Sequence, residues 1–373
     1  MGKTRIPQSL LALSERDQDA LCELAVVPRA TLSLVYHLMA SGNAWKRFEK
    51  PKSRGGVRVI HEPSEPMKEL SRGLLKHVVQ RLLVHRAIHG AGPGTSVVTN
   101  ARRHAGFARS VYNLDLKDAF PSVGRAQIEK VLGRKIRELI GASVDVSEES
   151  VGRLYEAVVE FLLVDDRIPQ GFPTSSGVLN AVLYPVDRAI GKYLEELRET
   201  TGQAYRFTRY VDDITVSTSG EGIERNVRKH VQAIIRRNKW ELNMRKVRYH
   251  GAAPEGDDER STKMPVVTGL VIHPDGRVTV PRPKLLKWRA FMNDLLAKGT
   301  VTEQERASVS GIVGYLYMVY DTSLPATVRK PYLAAKAKFG IGRVRETDSD
   351  VYAPDLGDEE EEESDAQPEA VAE

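Results

Sequence analysis

Apolar residues recur every three or four positions along much of the chain, which is the spacing of one face of a helix. Residues 14–41 predict two short amphipathic helices that separate near Pro28, with Ser14 and Asp17 placed to cap the first. The same spacing predicts helices within 125–166, 178–198 and 224–240, and two or three helices within 283–340. Another helix is predicted by a single apolar stripe, which comprises Leu74, Leu75, Val78, Val79, Leu82 and Leu83.

Three segments carry the pattern of paired strands with a tight turn between them. Residues 50–63 predict a β-hairpin that turns at Gly55-Gly56, residues 204–218 predict a second, and residues 265–281 predict a third around Pro274-Asp275-Gly276. Hairpins and helices follow one another without the regular alternation of a parallel α/β protein. The chain is therefore predicted to be α+β, with helices on one face of an antiparallel sheet and the other face open for a ligand.

A further predicted strand, residues 111–116, contains an aspartate. Its apolar residues Tyr112, Leu114 and Leu116 share one face, so Asp115 points to the other. A carboxylate on the open face of a strand costs little, whereas one in the core would be expensive. We therefore expect Asp115 to lie on the open face of the sheet.

The charge of the chain is distributed unevenly. The 373 residues include 55 Lys and Arg and 50 Asp and Glu, but thirteen of the acidic residues and none of the basic ones follow Arg345. Residues 1–345 thus hold 55 basic and 37 acidic residues, a net charge of +18. So basic a body suits a polyanionic partner, with an affinity that falls steeply with salt, although a solvated basic surface would give the same count.

The acidic segment 346–373 is low in aromatic residues, and we expect it to be disordered. Two roles are open for this tail. It is either an inert, solubilising extension or a competitor of nucleic acid for the basic body.

Composition also excludes several classes of protein and site. No run of apolar residues approaches the roughly 20 that cross a bilayer. The basic residues of 1–7 are followed by no apolar core, so we predict no secretory signal. Cys22 is the only cysteine, which excludes an intramolecular disulfide and a cysteine-built zinc site. We expect a reducing, cytoplasmic setting and no membrane partner.

Candidate chemistry begins at the turn of the 204–218 hairpin, which carries Asp212 and Asp213. An aspartate pair at a turn is common simply because its side chains accept local backbone hydrogen bonds. Asp115 supplies a third carboxylate, on a separate strand that can lie beside the hairpin. Three convergent carboxylates suit two Mg²⁺ ions about 3.5–4 Å apart, which neutralise the oxygens of a phosphoryl transfer.

The loop 168–177 lies between the two aspartate elements and reads IPQGFPTSSG. Its glycines and small residues allow a backbone to approach a nucleotide or a primer closely. Taken as a generic loop, this segment would be a weak indication. Its place between Asp115 and the hairpin makes it a strong one.

In this order, the motifs resemble those of the reverse transcriptases, over most of residues 50–320. The resemblance is carried by the Asp115 strand, the Pro169-Gln170-Gly171 loop, the Tyr210-Val211-Asp212-Asp213 box, Asn243 followed by Lys246, and Arg58-Val59-Ile60 with Lys52 ahead of it. It implies a right-hand polymerase fold. The implied parts are an N-terminal helical segment (1–50), fingers (51–110 and 125–168), a palm (111–124 and 169–282), a helical, RNA-recognising thumb (283–345) and the acidic tail (346–373).

The resemblance implies a catalytic role for four residues. Asp115, Asp212 and Asp213 would hold two Mg²⁺ ions, with Mn²⁺ as a substitute. Lys246 would protonate or neutralise the departing pyrophosphate.

Four other residues would contact the nucleotide by the same resemblance. Phe120 would stack under the sugar and exclude a 2′-hydroxyl, and Gln170 would contact the incoming nucleotide. Lys52 and Arg58 would bind its triphosphate. From residue type alone, Phe120 is as readily a core side chain, and each basic residue a surface charge.

Two further elements resemble those of the retron reverse transcriptases in particular. Asn100 and His104 fit an Asn-Ala-x-x-His element, and residues 267–269 fit a Val-Thr-Gly element. By the resemblance, RNA binding involves Asn100, His104, Val267, Thr268 and Gly269. Taken alone, His104 is as readily a structural histidine, and Val-Thr-Gly a strand end. Val211 is a departure, since retron enzymes most often carry Ala there.

The resemblance implies a retron RNA-directed DNA polymerase of the bacterial cytoplasm. It would start cDNA on the 2′-hydroxyl of a guanosine in its cognate non-coding RNA and use dNTPs to make branched msDNA. With an effector protein, the product would act in anti-phage defence. One alternative is another bacterial reverse transcriptase, such as a group II intron type, although no maturase or endonuclease domain fits into the residues after 345. The other is a catalytically silent RNA-binding scaffold.

Overall fold

Helices and short strands are interleaved along the part of the chain that the computed structural model describes, namely residues 6–52, 56–82, 84–251, 264–321 and 323–341. The helices are α1 (Gln8–Leu11), α2 (Glu15–Ala25), α3 (Arg29–Ala40), α4 (Glu65–His77), α5 (Val97–Arg102), α6 (Ala119–Ser122), α7 (Arg125–Ser143), α8 (Glu148–Leu162), α9 (Ser175–Val182), α10 (Tyr184–Thr201), α11 (Arg225–Arg237), α12 (Arg282–Lys298), α13 (Glu303–Tyr320) and α14 (Ala326–Phe339). The strands are β1 (Trp45–Pro51), β2 (Val57–Pro63), β3 (Ser110–Asp115), β4 (Tyr205–Tyr210), β5 (Asp213–Thr218), β6 (Arg248–His250), β7 (Val266–Val267), β8 (Leu270–Ile272) and β9 (Val278–Thr279).

The central sheet consists of four antiparallel strands in the order β4-β5-β3-β6. Leu114 of β3 lies opposite Ile214 of β5, and Tyr112 lies opposite Val216, so these four side chains form one buried face. The antiparallel pairing and the surrounding helices confirm the predicted α+β class. The pairing of β4 with β5 confirms the 204–218 hairpin.

Helices α9, α10 and α11 lie on this buried face. Val231 and Ile235 of α11 point inward, and Gln232 Nε2 donates a hydrogen bond to the hydroxyl of Tyr112 at 2.6 Å. Because side chains alternate along a strand, Asp115 lies on the opposite face from Tyr112. The helices therefore cover one face of the central sheet and leave Asp115 on the other.

Helix α5 and a small three-stranded sheet, in the order β7-β8-β9, pack against the Asp115 face, away from the aspartate itself. Asn113 Nδ2 donates to the carbonyl of Val266 at 2.8 Å, which ties the small sheet to β3. The turn around Pro274-Asp275-Gly276 joins β8 to β9, as predicted. The additional strand β7 was not predicted.

The N-terminal helices pack with α4 and α8 in the first of two compact units, which comprises the described residues within 6–48 and 60–285. The predicted capping box is present: the Ser14 hydroxyl accepts from Asp17 N, and the Asp17 carboxylate accepts from Ser14 N. Helix α2 ends at Ala25 and α3 begins at Arg29, which confirms the break near Pro28.

The described residues within 49–59 and 286–341 form the second compact unit. Within it, the Trp288 ring meets the Tyr315 ring edge-on, with centroids 5.7 Å apart. Lys338 Nζ donates to the carbonyl of Leu296 at 2.9 Å. Helices α12, α13 and α14 confirm the two or three helices predicted within 283–340.

Two predicted helices are broken. The stripe from Leu74 continues past the end of α4 at His77 only through a short 3₁₀ turn, Val79–Arg81. The helix predicted over 178–198 is in fact α9 and α10, because Pro185 has no N–H to donate and its ring would clash with the carbonyl four residues earlier.

Some predictions fall on residues outside the described ones. These are the turn residue Gly55, the stripe residue Leu83, the acidic tail (346–373), and parts of the expected N-terminal segment (1–5), fingers (53–55), palm (252–263) and thumb (322 and 342–345). Among the residues described, no single helix has the length and apolar character to cross a membrane; α2 and α3, bent by 108°, pass that test only when taken together, by length and composition.

Candidate active site

The three aspartates meet at one end of the central sheet. Asp115 is the last residue of β3 and lies directly opposite Asp213, the first residue of β5. Asp212 occupies the turn that joins β4 to β5. The hairpin turn and the end of β3 therefore present three carboxylates from two separate elements, as the sequence predicts.

Backbone hydrogen bonds fix this end of the sheet. Leu116 N donates to the carbonyl of Asp212 at 3.1 Å, which holds the turn against the chain that leaves β3. Asn243 N donates to the carbonyl of Asp115 at 2.8 Å. The segment that carries Lys246 is thus joined to the aspartates by the main chain as well as by its side chain.

Asp115 does not lie on an open face, and that expectation is wrong. The residue is only 7% exposed. The Lys246 ammonium donates a hydrogen bond to Asp115 Oδ2 at 3.2 Å, and this ion pair offsets the desolvation of the carboxylate. The alternation of side chains along β3 could not reveal the burial of Asp115, because Lys246 comes from a segment 131 residues further along the chain.

The Lys246 ammonium experiences all three carboxylates. Partial burial alone would lower the pKa of Lys246, but Asp115, Asp213 and Asp212 outweigh it and raise that pKa above its ordinary value. The predicted catalytic residues are therefore brought together, with one positive charge among three negative ones.

The donor set fits a divalent metal. Among the residues that the structure describes, no three His, Cys, Asp or Glu side chains are already gathered as a metal site. Carboxylates are nevertheless the oxygen ligands that Mg²⁺ prefers. Their approach to one ammonium indicates that this end of the sheet is built to hold positive charge.

Val211, the residue before the aspartate pair, has a left-handed backbone with φ of 56°. This conformation is strained for a β-branched side chain. Gly90 backs the turn so closely that a Cβ there would lie 2.9 Å from both Val211 Cγ2 and Val211 N. Val211 therefore packs against Gly90, and the turn depends on a residue without a side chain behind it.

A buried ion pair holds the same turn from the helical side. The Arg209 guanidinium donates to both oxygens of Asp187, at 2.8 and 2.6 Å, and neither side chain has any exposed surface. It also donates to Asn180 Oδ1 at 2.9 Å and to the carbonyl of Val211 at 2.5 Å. Asn180 Nδ2 in turn donates to the carbonyl of Gly90 at 2.7 Å.

This network was missed by the sequence reasoning, although one signal was present. Tyr205, Phe207 and Arg209 are spaced two residues apart along β4, so their side chains share one face of the strand. This spacing places a charged residue on the apolar face. A buried arginine needs a partner. The partner itself, Asp187 on α10, carries no mark in the sequence.

Phe120 and Gln170 lie on neighbouring elements. Phe120 is partly buried on α6, which packs against α9, the helix that follows the Gln170 loop. The carbonyl of Gln170 accepts from His61 N of β2 at 2.8 Å. Gly171 has φ of 111°, and a Cβ there would lie 2.5 Å from the carbonyl oxygen of His61, so this loop requires its glycine.

Lys52 and Arg58 belong to the β1–β2 arm. Both fall in the second compact unit, where Lys52 N donates to the carbonyl of Gly56 at 2.9 Å. The structure thus groups four of the predicted site residues, the three aspartates and Lys246, at one sheet end.

The two retron-like elements meet in the interior. Asn100 Nδ2 donates to the Thr268 hydroxyl at 3.3 Å, and that hydroxyl donates to the carbonyl of Val97 at 3.2 Å. Asn100 and Val267 are fully buried, whereas Thr268 is partly exposed and Gly269 is exposed.

His104, which follows α5, is fully buried against the face of the β4–β5 hairpin. Its Nδ1 lies 2.6 Å from the Ser217 hydroxyl and its Nε2 lies 2.7 Å from the Thr208 hydroxyl. Burial, with Arg206 nearby, lowers the pKa of His104 to about 3. The imidazole is therefore neutral and joins α5 to the hairpin that carries the aspartates.

Comparison with known proteins identifies the family of this chain. Residues 49–263 match the family described as reverse transcriptase (RNA-dependent DNA polymerase). The retron Mx65 reverse transcriptase of Myxococcus xanthus is 32% identical over 278 residues, which cover 73% of this chain and 60% of that protein. The retron Ec73 reverse transcriptase of Escherichia coli is 27% identical over 288 residues, covering 76% of this chain and 86% of that protein.

A solved structure, that of apo telomerase from Candida tropicalis, superposes with a TM-score of 0.41 and 15% sequence identity, covering 79% of this chain and 60% of that one. The family match spans more than half of the chain, and the chain spans three-fifths of the length of the Mx65 protein. The chain belongs to the reverse transcriptase family, and the relatives that it matches are retron reverse transcriptases.

Proposed function

We propose that this protein is the RNA-directed DNA polymerase of a retron. It starts cDNA on the 2′-hydroxyl of a guanosine in its cognate non-coding RNA, copies part of that RNA with dNTPs, and leaves branched msDNA. The polymerase works in the bacterial cytoplasm and, with an effector protein, serves anti-phage defence.

The observation that carries the proposal is that Asp115, Asp212 and Asp213 lie at one end of the central sheet, with the Lys246 ammonium on Asp115 Oδ2. Nucleotidyl transfer must neutralise an attacking oxygen and a departing pyrophosphate. Three carboxylates can hold the required cations, and a lysine beside them can meet the leaving group. An ordinary basic RNA-binding protein needs no such acidic centre.

Asp115, Asp212 and Asp213 would hold two Mg²⁺ ions, or Mn²⁺ in their place. When bound, these ions supply the positive charge that activates the attacking hydroxyl and stabilises the leaving oxygens. Lys246, released from Asp115, neutralises or protonates the pyrophosphate. The backbone bonds to Asp115 and Asp212 keep the carboxylates in place meanwhile.

Four residues are assigned to the nucleotide. Phe120 stacks under its sugar and excludes a 2′-hydroxyl, and Gln170 contacts the nucleotide from the loop that lies on β2. Lys52 and Arg58 of the β1–β2 arm bind the triphosphate. The close packing of α6 against α9 supports a shared role for Phe120 and the Gln170 loop.

The proposed parts of the polymerase are those that the family resemblance implies. They are fingers at 51–110 and 125–168, a palm at 111–124 and 169–282, and a thumb at 283–345 that recognises the RNA. Of the retron-like elements, the turn Thr268–Gly269 has surface for RNA contact. Asn100, His104 and Val267 are buried and serve by fixing the position of that turn and of α5.

The direct test is primer extension with dNTPs and Mg²⁺ on an RNA template. We expect the double substitution Asp212→Ala/Asp213→Ala to abolish synthesis while the protein stays folded. Glu195→Ala/Glu196→Ala, which removes two surface carboxylates from α10, is the matched control and should leave synthesis intact. Unchanged synthesis by the aspartate variant would remove the metal assignment.

A second experiment separates the retron from a group II intron enzyme. Nucleic acid that co-purifies with the protein is sequenced before and after treatment with a debranching enzyme. A 2′–5′ linkage at a guanosine is the expected result, whereas linear cDNA alone would favour the group II type. Failure of the wild-type protein to extend any primer, co-purified RNA included, would favour the silent RNA-binding scaffold.

A further inference from the structure

A line of basic side chains runs along the outer surface of α11. Arg225, Lys229 and Arg236 are exposed and lie within about 40° of one another around the helix axis, over a length of about 16 Å. We call these three residues the α11 ridge. The buried residues of α11, among them Val231 and Ile235, occupy the opposite side.

The cations of the ridge are not engaged with carboxylates. Within the described part of the chain, the side chains of Arg225 and Lys229 make no hydrogen bond or ion pair, and the Arg236 side chain donates one hydrogen bond, to Met244 Sδ at 3.6 Å. Several cations of other surface helices are paired with carboxylates. Arg137 of α7 pairs with Glu129 at 3.0 Å, and Arg198 of α10 pairs with Glu195 at 2.6 Å.

Two of the three ridge charges, those of Arg225 and Lys229, weaken α11. The helix contains five Lys or Arg and no Asp or Glu, so neighbours one turn apart, such as Arg225 and Lys229, repel each other. Arg225 also stands at the positive end of the helix dipole, where an acidic side chain would be favoured. Arg236 lies in the last turn, where the dipole favours a cation, so Arg225 and Lys229 are the ridge charges that weaken the helix and that a ligand would explain.

The position of the ridge separates it from the active site. Helix α11 covers the face of the central sheet that carries Tyr112, and Asp115 lies on the other face. Tyr193 of α10 stacks on His230 at 4.0 Å and flanks α11 on the side away from the ridge. A ligand of the ridge therefore lies behind the sheet and cannot be the duplex at the aspartates.

The chemistry of the ridge fits a sugar–phosphate backbone. No large apolar side chain is exposed on α11, and the exposed Met244 beside Arg236 is a single residue, not an apolar patch of the kind that membranes and protein partners use. A straight row of cations matches a row of phosphates. We propose that the α11 ridge binds the backbone of the cognate RNA outside the copied region, an inference that rests on the proposed polymerase function.

The test uses the full chain with Arg225→Gln, Lys229→Gln and Arg236→Gln combined. Binding to a labelled RNA hairpin of about 20 base pairs is measured over a range of salt concentrations. We expect at least a tenfold loss of affinity at physiological salt and a fall of about 2–3 in the slope of log affinity against log salt. Extension of a short template–primer reports on the fold and the chemistry of the same variant.

A control variant removes the same charge elsewhere. Arg134→Gln, Lys135→Gln and Lys192→Gln are combined, because these side chains are paired with carboxylates on α7 and α10. Affinity close to that of the wild type is expected for this control. An equal loss in both variants, or an unchanged slope in the ridge variant, would overturn the inference. If the wild type extends no primer, the polymerase proposal fails instead, whatever the ridge does.

Discussion

Two aspartate–cation pairs lie on opposite faces of the hairpin that carries Asp212 and Asp213, and they differ in how completely they are closed. Asp187 and Arg209 share two hydrogen bonds and have no exposed side-chain surface. Asp115 and Lys246 share one contact at 3.2 Å, with 10% and 39% of their side chains exposed.

The difference separates a structural carboxylate from a catalytic one. In the closed pair the guanidinium also donates to Asn180 and to Val211, so no ligand can enter without breaking it. In the open pair the ammonium can leave Asp115 and stay in water. Burial alone would class both aspartates together, whereas the number of partners distinguishes them.

The largest expected effect comes from Asp115→Asn. We expect primer extension to fall by at least roughly 10³-fold, because the amide cannot hold a divalent ion as the carboxylate does. The midpoint of thermal unfolding should stay or rise, since a neutral amide is less costly to bury than a carboxylate. A drop in that midpoint with activity retained would reverse the roles we assign to the two pairs.

Asp187→Asn should act the other way round. Removing one partner leaves the buried Arg209 charge unpaired, and we expect a loss of about 3–5 kcal/mol in the free energy of unfolding. Urea unfolding followed by circular dichroism measures this loss. Glu195→Asn, on the exposed face of α10, is the control and should change stability by less than about 1 kcal/mol. An Asp187 variant as stable as the control would show that the closed pair does not hold the turn.

His104 extends the comparison of the two pairs and should have a smaller effect on stability. It is buried like Asp187, but its partners are hydroxyl groups and not an opposite charge. Its pKa of about 3 lies below the ordinary value of 6.5, so protons favour the unfolded chain. This contribution is complete above pH 6.5 and is lost as the pH falls toward 3. At pH 5 the wild type should have lost about 2 kcal/mol that His104→Asn does not lose. Parallel curves of stability against pH for the two proteins would contradict this.

The sequence predicts the open pair, Asp115 and Lys246, better than the closed pair, Asp187 and Arg209. Asp115, Asp212 and Lys246 each sit in a local motif, so their roles could be inferred before the fold was known. The burial of Asp115 could not, because it depends on a lysine brought in from a distant segment.

The closed network leaves only a partial trace in the sequence. The alternation of side chains along β4 predicts that Arg209 is buried. Its ion-pair partner, Asp187, is decided by how α10 crosses the sheet. The same limit applies to Asn100 and Thr268, which are 168 residues apart and meet only in the fold. Alternation along a strand reports which way a side chain points, and tertiary packing decides what it meets.

Gly90 sets a rule for protein engineering. A Cβ at residue 90 would meet the backbone nitrogen of Val211 as well as its methyl group, each at 2.9 Å. Trimming Val211 to alanine removes only one of these obstacles. Variant libraries can therefore sample smaller side chains at 211, but residue 90 has to stay glycine in every member that keeps the turn.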